Sequence, residues 1–189
     1  MIEHFKKFIS DYTDTSDGLL EEIFRVTKPK RAKRVEYLLR AGETCRQFAL
    51  ITSGCTRLFY IPVEKEVTVW FGFPDNVGSE IQSFISGEPS KFYVEAIEDT
   101  QYLSISKVAF ERLLSESPEW QIVVRKIWEE TIVNIIDRLT AFQFQTAEQR
   151  YLELIQDPDY LQMIPQKYLA SYLGITPTSL SRLRKKISL

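Results

Sequence analysis

A helix–turn–helix pattern near the end of the chain, within residues 164–187, limits the fold more than any other sequence feature. Pro165 opens a first predicted helix, Gly174 stands at a turn, and Thr176 followed by Pro177 caps and starts a second helix. Helices that cross closely need a small residue at the crossing, and Ala170 supplies it. The positions that must point inward are all apolar: Leu169, Leu173, Ile175, Leu180 and Leu183. The pattern therefore predicts two short helices joined by a tight turn.

The outward face of the second helix offers hydroxyl and cationic side chains, which suit phosphate oxygens and guanine edges in the major groove. We expect Arg182 to read a base and the hydroxyl and lysine groups to hold phosphates. The residues predicted to bind DNA are Lys167, Thr176, Pro177, Thr178, Ser179, Ser181, Arg182 and Lys185. A helical hairpin with a polar outer face is the structural alternative.

Charge is distributed unevenly along the 189 residues. The segment 160–189 has five basic residues and no acid, whereas the rest of the chain carries a net charge of −7. A basic end on an acidic body suggests that this end meets a polyanion, although cations also favour a helix C-terminus. The two cysteines, Cys45 and Cys55, are too few for a four-cysteine cluster, and the single histidine, His4, lies in the N-terminal segment. We therefore expect neither a Ser-His-Asp triad nor a metal site.

The middle of the chain, from Arg31 to about Ser106, reads as short strands. Runs rich in β-branched and aromatic residues end at turn formers, as expected for a small barrel or jelly roll. The predicted strands cover residues 48–52, 56–61, 67–71, 93–97 and 103–105. Before them, residues 1 to about 25 read as helical, with candidate capping side chains at Asp14, Thr15, Ser16 and Asp17.

One long helix is predicted after the strands. Ser117 and Pro118 form a start signal, and neither Gly nor Pro follows as far as Thr146. Apolar residues recur at steps of three and four, which is typical of a helix–helix seam. The predicted dimerisation residues are Val124, Trp128, Thr131, Ile135, Leu139 and Phe142. Packing of this helix on its own barrel is the alternative.

A barrel, a long helix and a terminal helix–turn–helix, in this order, resemble the CRP/FNR (catabolite activator) family of bacterial transcription regulators. In the barrel the resemblance rests on Leu-Leu-Arg-Ala-Gly-Glu at 38–43, on Gly54 and on Ala-Ile-Glu-Asp at 96–99. It implies an α+β fold with a cyclic-nucleotide-binding-like β jelly roll as sensor (1–115), a dimerisation helix (116–145) and a DNA-binding helix–turn–helix domain (146–189). The implied partners are double-stranded DNA, a second copy of the chain and RNA polymerase.

The nucleotide site of that family departs from its pattern in this chain. Members that bind cyclic AMP have Gly-Glu and, about ten residues later, an Arg for the cyclic phosphate. Here Ser90 stands in place of the Arg, and Lys91 lies one residue beyond that position. This segment resembles a Bacteroidetes-type branch of the family. The candidate ligand residues are Gly78, Ser79, Glu80, Ser90 and Lys91. Because a buried phosphate without its Arg is poorly paired, we expect weak or no binding of cyclic AMP and no cofactor, with an unknown effector.

The leading hypothesis is a homodimeric, sequence-specific DNA-binding transcription regulator. A ligand-binding module whose helix–turn–helix docks a protein is the second hypothesis. A cupin-like enzyme is a distant third, because its metal needs several histidines and the chain has none from residue 31 onward. A cytoplasmic location without membrane association is expected, since no secretory signal and no apolar run of about 20 residues is present.

Overall fold

The computed structural model describes residues 2–10, 12 and 16–187, without the side chains of residues 2–5 and 159. The helices are α1 Ile2–Ser10, α2 Asp17–Val26, α3 Ile81–Ser86, α4 Lys107–Glu116, α5 Pro118–Phe144, α6 Ala147–Leu154, α7 Pro158–Met163, α8 Gln166–Leu173 and α9 Pro177–Ile187. Ser16 caps α2, since its hydroxyl accepts a hydrogen bond from the Leu19 N–H. Asp17 is the first residue of α2, and the remaining two candidates, Asp14 and Thr15, lie outside the described residues.

Two antiparallel sheets form a β-sandwich after α2. The strands are β1 Thr27–Ala32, β2 Tyr37–Leu39, β3 Gln47–Ser53, β4 Thr56–Tyr60, β5 Val67–Gly72, β6 Tyr93–Ala96 and β7 Thr100–Ser106. One sheet has the strand order β1-β7-β3 and the other has the order β2-β6-β4-β5. The predicted strands are confirmed, and β1 and β2 add to them at the N-terminal side.

The main core joins the sandwich to the helices on one side of it. Phe48 and Leu50 of β3 belong to one buried cluster with Phe110 of α4, Trp120 of α5 and Ile9 of α1. These side chains are almost completely buried. The core therefore binds the N-terminal helices, the β1-β7-β3 sheet and the first turns of α5 into one unit.

The long helix is confirmed and has two different halves. Ser117 caps it by accepting a hydrogen bond from the Trp120 N–H. Its first half is buried in the main core through Trp120, Val123 and Ile127. Its second half exposes apolar side chains, each between 53% and 59% accessible: Ile132, Val133, Ile135, Ile136 and Leu139.

The C-terminal helices share a second core with the sandwich. The buried residues Leu169, Leu173 and Leu180 of this core are in contact with Phe71 of β5 and with Ile97, which follows β6. The sequence treats Asp157-Pro158-Asp159 as a turn, whereas Pro158 starts α7. The helix–turn–helix is thus not an independent bundle in this structure, because sheet residues complete its core.

Candidate nucleic-acid interface and ligand site

The predicted helix–turn–helix is confirmed as α8 and α9. Gly174 ends α8 in the left-handed region with φ 74°, which glycine adopts at little cost. The Thr176 hydroxyl accepts a hydrogen bond from the Ser179 N–H at 3.1 Å and so caps α9. Ala170 is completely buried at the helix crossing, as the spacing requires.

The face predicted to bind DNA is free within the protomer. Thr178, Arg182 and Lys185 are exposed, and no hydrogen bond or ion pair of these side chains is found in the part of the chain that the structure describes. The neighbouring predicted residues are also exposed, apart from the half-buried Ser181: Lys167, Thr176, Pro177 and Ser179. The Thr176 and Ser179 hydroxyls lie 2.9 Å apart and hydrogen-bond to each other. These predicted residues are therefore accessible, and Thr178, Arg182 and Lys185 share one face of α9 by their i, i+4 and i+7 spacing.

The other two cations of α9 have structural partners. Arg184 donates from Nε to the Tyr151 hydroxyl at 3.1 Å, and Lys186 pairs with the Glu148 carboxylate at 2.8 Å. Both partners belong to α6. The basic run at 182–186 is therefore divided between a free face and contacts that hold α9 against α6.

Helix α8 is docked on the edge strand β5. The Ser171 hydroxyl accepts a hydrogen bond from the Thr68 N–H at 3.0 Å and donates one to the Glu66 carbonyl at 3.2 Å. The next residue along the helix, Tyr172, packs on Phe71 with ring centroids 5.0 Å apart. As an edge strand, β5 has no neighbouring strand on one side, and the Ser171 hydroxyl forms hydrogen bonds with backbone groups there instead. The sequence analysis missed this docking, and the serine alone gives no signal for it.

A buried ion pair lies beneath the same helix. Arg57 is 1% exposed and donates to Glu95 at 2.8 Å and to Glu66 at 2.9 Å. Its guanidinium lies between the rings of Phe59 and Tyr168, 3.9 Å and 3.7 Å from their centroids. Burial is the main cause that raises the pKa of Tyr168. Arg57 therefore connects the β-sandwich to the first helix of the helix–turn–helix.

The candidate ligand residues Ser79 and Glu80 are committed to backbone contacts. The buried Glu80 carboxylate caps α3, accepting hydrogen bonds from the N–H groups of Gln82 at 2.8 Å and Ser83 at 3.0 Å. The Ser79 hydroxyl accepts a hydrogen bond from the Ala49 N–H at 2.7 Å. Both side chains therefore already have backbone partners within the protomer.

The remaining ligand candidates do not complete a pocket. The Ser90 hydroxyl accepts a hydrogen bond from the Phe92 N–H at 2.9 Å, and Lys91 is exposed. Gly78 faces the core, where an added Cβ would lie 2.5 Å from Ile51 Cδ1. Gly78, Ser79 and Glu80 line a cavity of about 10 Å³ that Ser90 and Lys91 do not reach. That volume is no larger than about one water molecule needs.

The predicted seam residues fall into two groups. Val124 is 4% exposed and packs inside its own protomer. Trp128 is half-buried with its ring 6.4 Å from that of Phe48, and the Thr131 hydroxyl donates to the Ile127 carbonyl at 2.7 Å. The last three are the exposed ones: Ile135, Leu139 and Phe142.

A membrane-spanning helix and a metal-ligand cluster are two features that can be checked among the described residues. Among them, no helix is long and apolar enough to cross a bilayer. The same residues contain no group of three or more His, Cys, Asp or Glu side chains placed to hold a metal ion.

Residues 29–117 match the family model of the cyclic nucleotide-binding domain. The β-sandwich, the long helix and the terminal helix–turn–helix together form an α+β fold that matches the solved structures of CRP/FNR-type regulators. A search of curated proteins by sequence gave no match.

Solved structures share this fold over nearly the whole chain at low sequence identity. FixK2 from Bradyrhizobium japonicum has a TM-score of 0.73 and 18% identity, with 86% of this chain and 85% of FixK2 covered. The c-di-GMP-responsive global regulator CLP of Xanthomonas campestris has a TM-score of 0.71 and 14% identity, with 92% of both chains covered. A protein of Eubacterium rectale assigned to the CRP/FNR family has a TM-score of 0.72 and 13% identity, with 93% and 84% covered.

Proposed function

We propose that this protein is a homodimeric, sequence-specific DNA-binding transcription regulator of the CRP/FNR type, acting in the cytoplasm. The observation that carries the proposal is the exposed face of α9, where Thr178, Arg182 and Lys185 converge without protein partners among the described residues. Such a face suits the major groove, with cations and hydroxyls for phosphates and a guanidinium for a guanine edge. RNA polymerase is the further partner that the family resemblance implies, and the Bacteroidetes-type branch stays a prediction.

In vitro selection from random duplex DNA, followed by gel shift, tests DNA reading. We expect a near-palindromic consensus, and we expect Arg182→Ala to cost about 1–3 kcal/mol on that site and to relax one base position. Lys186→Ala is the matched control, because it removes one cation of α9 that is already paired with Glu148. Equal losses in both variants, or unchanged affinity of Arg182→Ala, would refute the base-reading role. A selection without consensus would favour the protein-docking alternative.

We propose that the second half of α5 forms the dimer seam. Ile132, Ile135 and Leu139 are each more than half exposed and recur at helical spacing, so a second helix would bury a continuous apolar stripe. Dimerisation would place two copies of α9 about 34–36 Å apart, one turn of B-DNA. The buried position of Val124 suggests that the seam starts after it.

Sedimentation equilibrium tests the seam. Leu139→Glu should yield monomers, because it places a carboxylate in the apolar stripe. Val133→Glu is the control, since Val133 is similarly exposed but lies about 120° around α5 from Leu139 by helical spacing. A monomeric wild-type protein at all concentrations would contradict the proposal.

We propose that the sandwich does not bind cyclic AMP. The support is the cavity of about 10 Å³ and the use of the Glu80 carboxylate as the cap of α3. Calorimetry with cyclic AMP should therefore show no heat of binding, and micromolar affinity would overturn this proposal.

A further inference from the structure

A cleft of about 290 Å³ lies where the second half of α5 meets the C-terminal helices. Arg138 and Phe142 of α5, Arg150 of α6, Tyr160 of α7 and Tyr172 of α8 form its walls. This volume is close to the lower end of small-molecule sites, about 300 Å³. The cleft shares no lining residue with the small cavity beside Glu80.

Arg138 presents unused donors to the cleft. Its Nη2 donates to the Tyr172 carbonyl at 3.2 Å, and its guanidinium lies 3.5 Å from the centroid of the Tyr172 ring. Apart from this carbonyl, the Tyr172 side chain is a hydrogen-bond partner of Arg138, and the guanidinium keeps further N–H donors for a ligand. Burial lowers the pKa of Arg138, in keeping with a cation that has lost part of its hydration.

Arg150 adds a second cation to the same cleft. Its Nη1 donates to the Gln145 carbonyl at 2.5 Å, its Nη2 donates to the Leu173 carbonyl at 3.0 Å, and its Nε is buried without a partner. No ion pair between a carboxylate and Arg138 or Arg150 occurs in the described ranges 2–10, 12 and 16–187. The positive charges of Arg138 and Arg150 are therefore balanced by carbonyl dipoles and ring faces rather than by a carboxylate. Both guanidiniums can then pair with an acid that enters the cleft.

The remaining polar residues limit what the acid can be. Asp137, Glu153 and Asp157 line the cleft as exposed side chains, and the Glu153 carboxylate accepts a hydrogen bond from Gln145 Nε2 at 2.6 Å. Three carboxylates near the opening disfavour a polyanion. The rings of Phe142 and Tyr160 add apolar surface to the cleft for the rest of the ligand, and the Arg138 and Arg150 guanidiniums lie 5.0 Å and 4.4 Å from the centroid of the Phe142 ring.

We propose that this cleft is a binding site for a small organic monoanion, with one acidic group on Arg138 and a flat apolar body against Phe142 and Tyr160. An acid on the remaining donors of Arg138 would share the guanidinium with the Tyr172 carbonyl. Since Tyr172 and Leu173 end α8, occupancy bears directly on the placement of the helix–turn–helix. The role as an effector site rests on the proposed function, whereas the binding itself does not.

Titration of the full-length protein with benzoate, without DNA, tests the site by calorimetry or by chemical-shift changes. Benzoate should bind, and benzamide, its neutral isostere, should bind about ten-fold more weakly or not at all, because it lacks the charge that Arg138 requires. Arg138→Gln should weaken benzoate binding by about ten-fold or more. Arg125→Gln is the matched control on α5, because Arg125 is exposed and paired with Glu129 at 2.6 Å.

Three results would overturn the proposal: no binding of benzoate, equal binding of benzoate and benzamide, or equal benzoate affinity in wild type and Arg138→Gln. If Arg138→Gln does not fold, Ala141→Phe takes its place, because it fills the cleft and keeps both arginines. Loss of benzoate binding in that variant supports the site, and unchanged binding refutes it. A failed DNA selection affects neither result, so the two proposals can fail separately.

Discussion

Arg57 shows how much one buried side chain contributes to the joint between the β-sandwich and α8. Its guanidinium pairs with Glu95, whose side chain is 5% exposed, and supports the ring of Tyr168. Removing one partner of a buried ion pair leaves an uncompensated charge, which costs far more than breaking an exposed pair.

We predict that Arg57→Met lowers the free energy of unfolding by about 3–5 kcal/mol, measured by urea denaturation. The comparison is Arg125→Met, whose pair with Glu129 is exposed and should be worth less than about 1 kcal/mol. Replacing Glu95 by Met as well should recover part of the loss, because the unpaired carboxylate is then gone. A loss below about 1 kcal/mol for Arg57→Met would contradict the role of this pair.

A second prediction at the scale of single residues concerns the thiol of Cys45. It is 4% exposed, and burial is the main cause that raises the pKa of its thiol. A raised pKa means less thiolate at neutral pH, and the thiolate is the reactive species. Iodoacetamide should therefore label Cys45 slowly in the native protein and readily in urea. Rapid labelling under native conditions would show that the cavity beside Cys45 opens.

At the scale of elements, the turn between α8 and α9 depends on a backbone conformation. Gly174 has φ 74°, and a Cβ there would also lie 3.3 Å from Phe142 Cε1. Both the left-handed backbone conformation and this contact disfavour a side chain at position 174. The turn between α8 and α9 is therefore packed against the end of α5.

We predict that Gly174→Ala destabilises the protein by about 1–2 kcal/mol in thermal or urea unfolding. Gly18→Ala is the matched control, because Gly18 lies in α2 and no atom lies within 4 Å of the position that its added methyl group would take. This control should be neutral or slightly stabilising, since alanine favours a helix more than glycine does. Equal effects of the two substitutions would mean that the turn does not need its glycine.

At the scale of the whole molecule, the described residues pack around two main cores. Neither core corresponds to one continuous segment of the sequence. The first half of α5 belongs to the core of the sandwich, whereas Phe71 of β5 belongs to the core of the helix–turn–helix. Although α8 is docked on β5, the predicted reading face of α9 stays exposed. A docked helix–turn–helix is thus compatible with access to DNA.

We predict that Phe71→Ala, which removes a ring 5.0 Å from Tyr172, costs about 3–5 kcal/mol and lowers amide-exchange protection in α8 most strongly. Phe48→Ala is the control, since Phe48 is equally buried but lies in the other core. It should reduce protection around β3 and α4 instead. Identical protection patterns in the two variants would show that the cores do not behave as separate units.

The sequence by itself determined the local elements: the strands of the sandwich, the start of α5 at Ser117 and the turn at Gly174. Alternation, capping and backbone freedom act over a few residues, so they can be read without the fold. Only the tertiary structure decided that Ser171 docks on β5, that Glu80 caps α3, and that Arg138 and Arg150 share a cleft. These contacts depend on how separate elements meet, and periodicity carries no information about which distant surfaces come together.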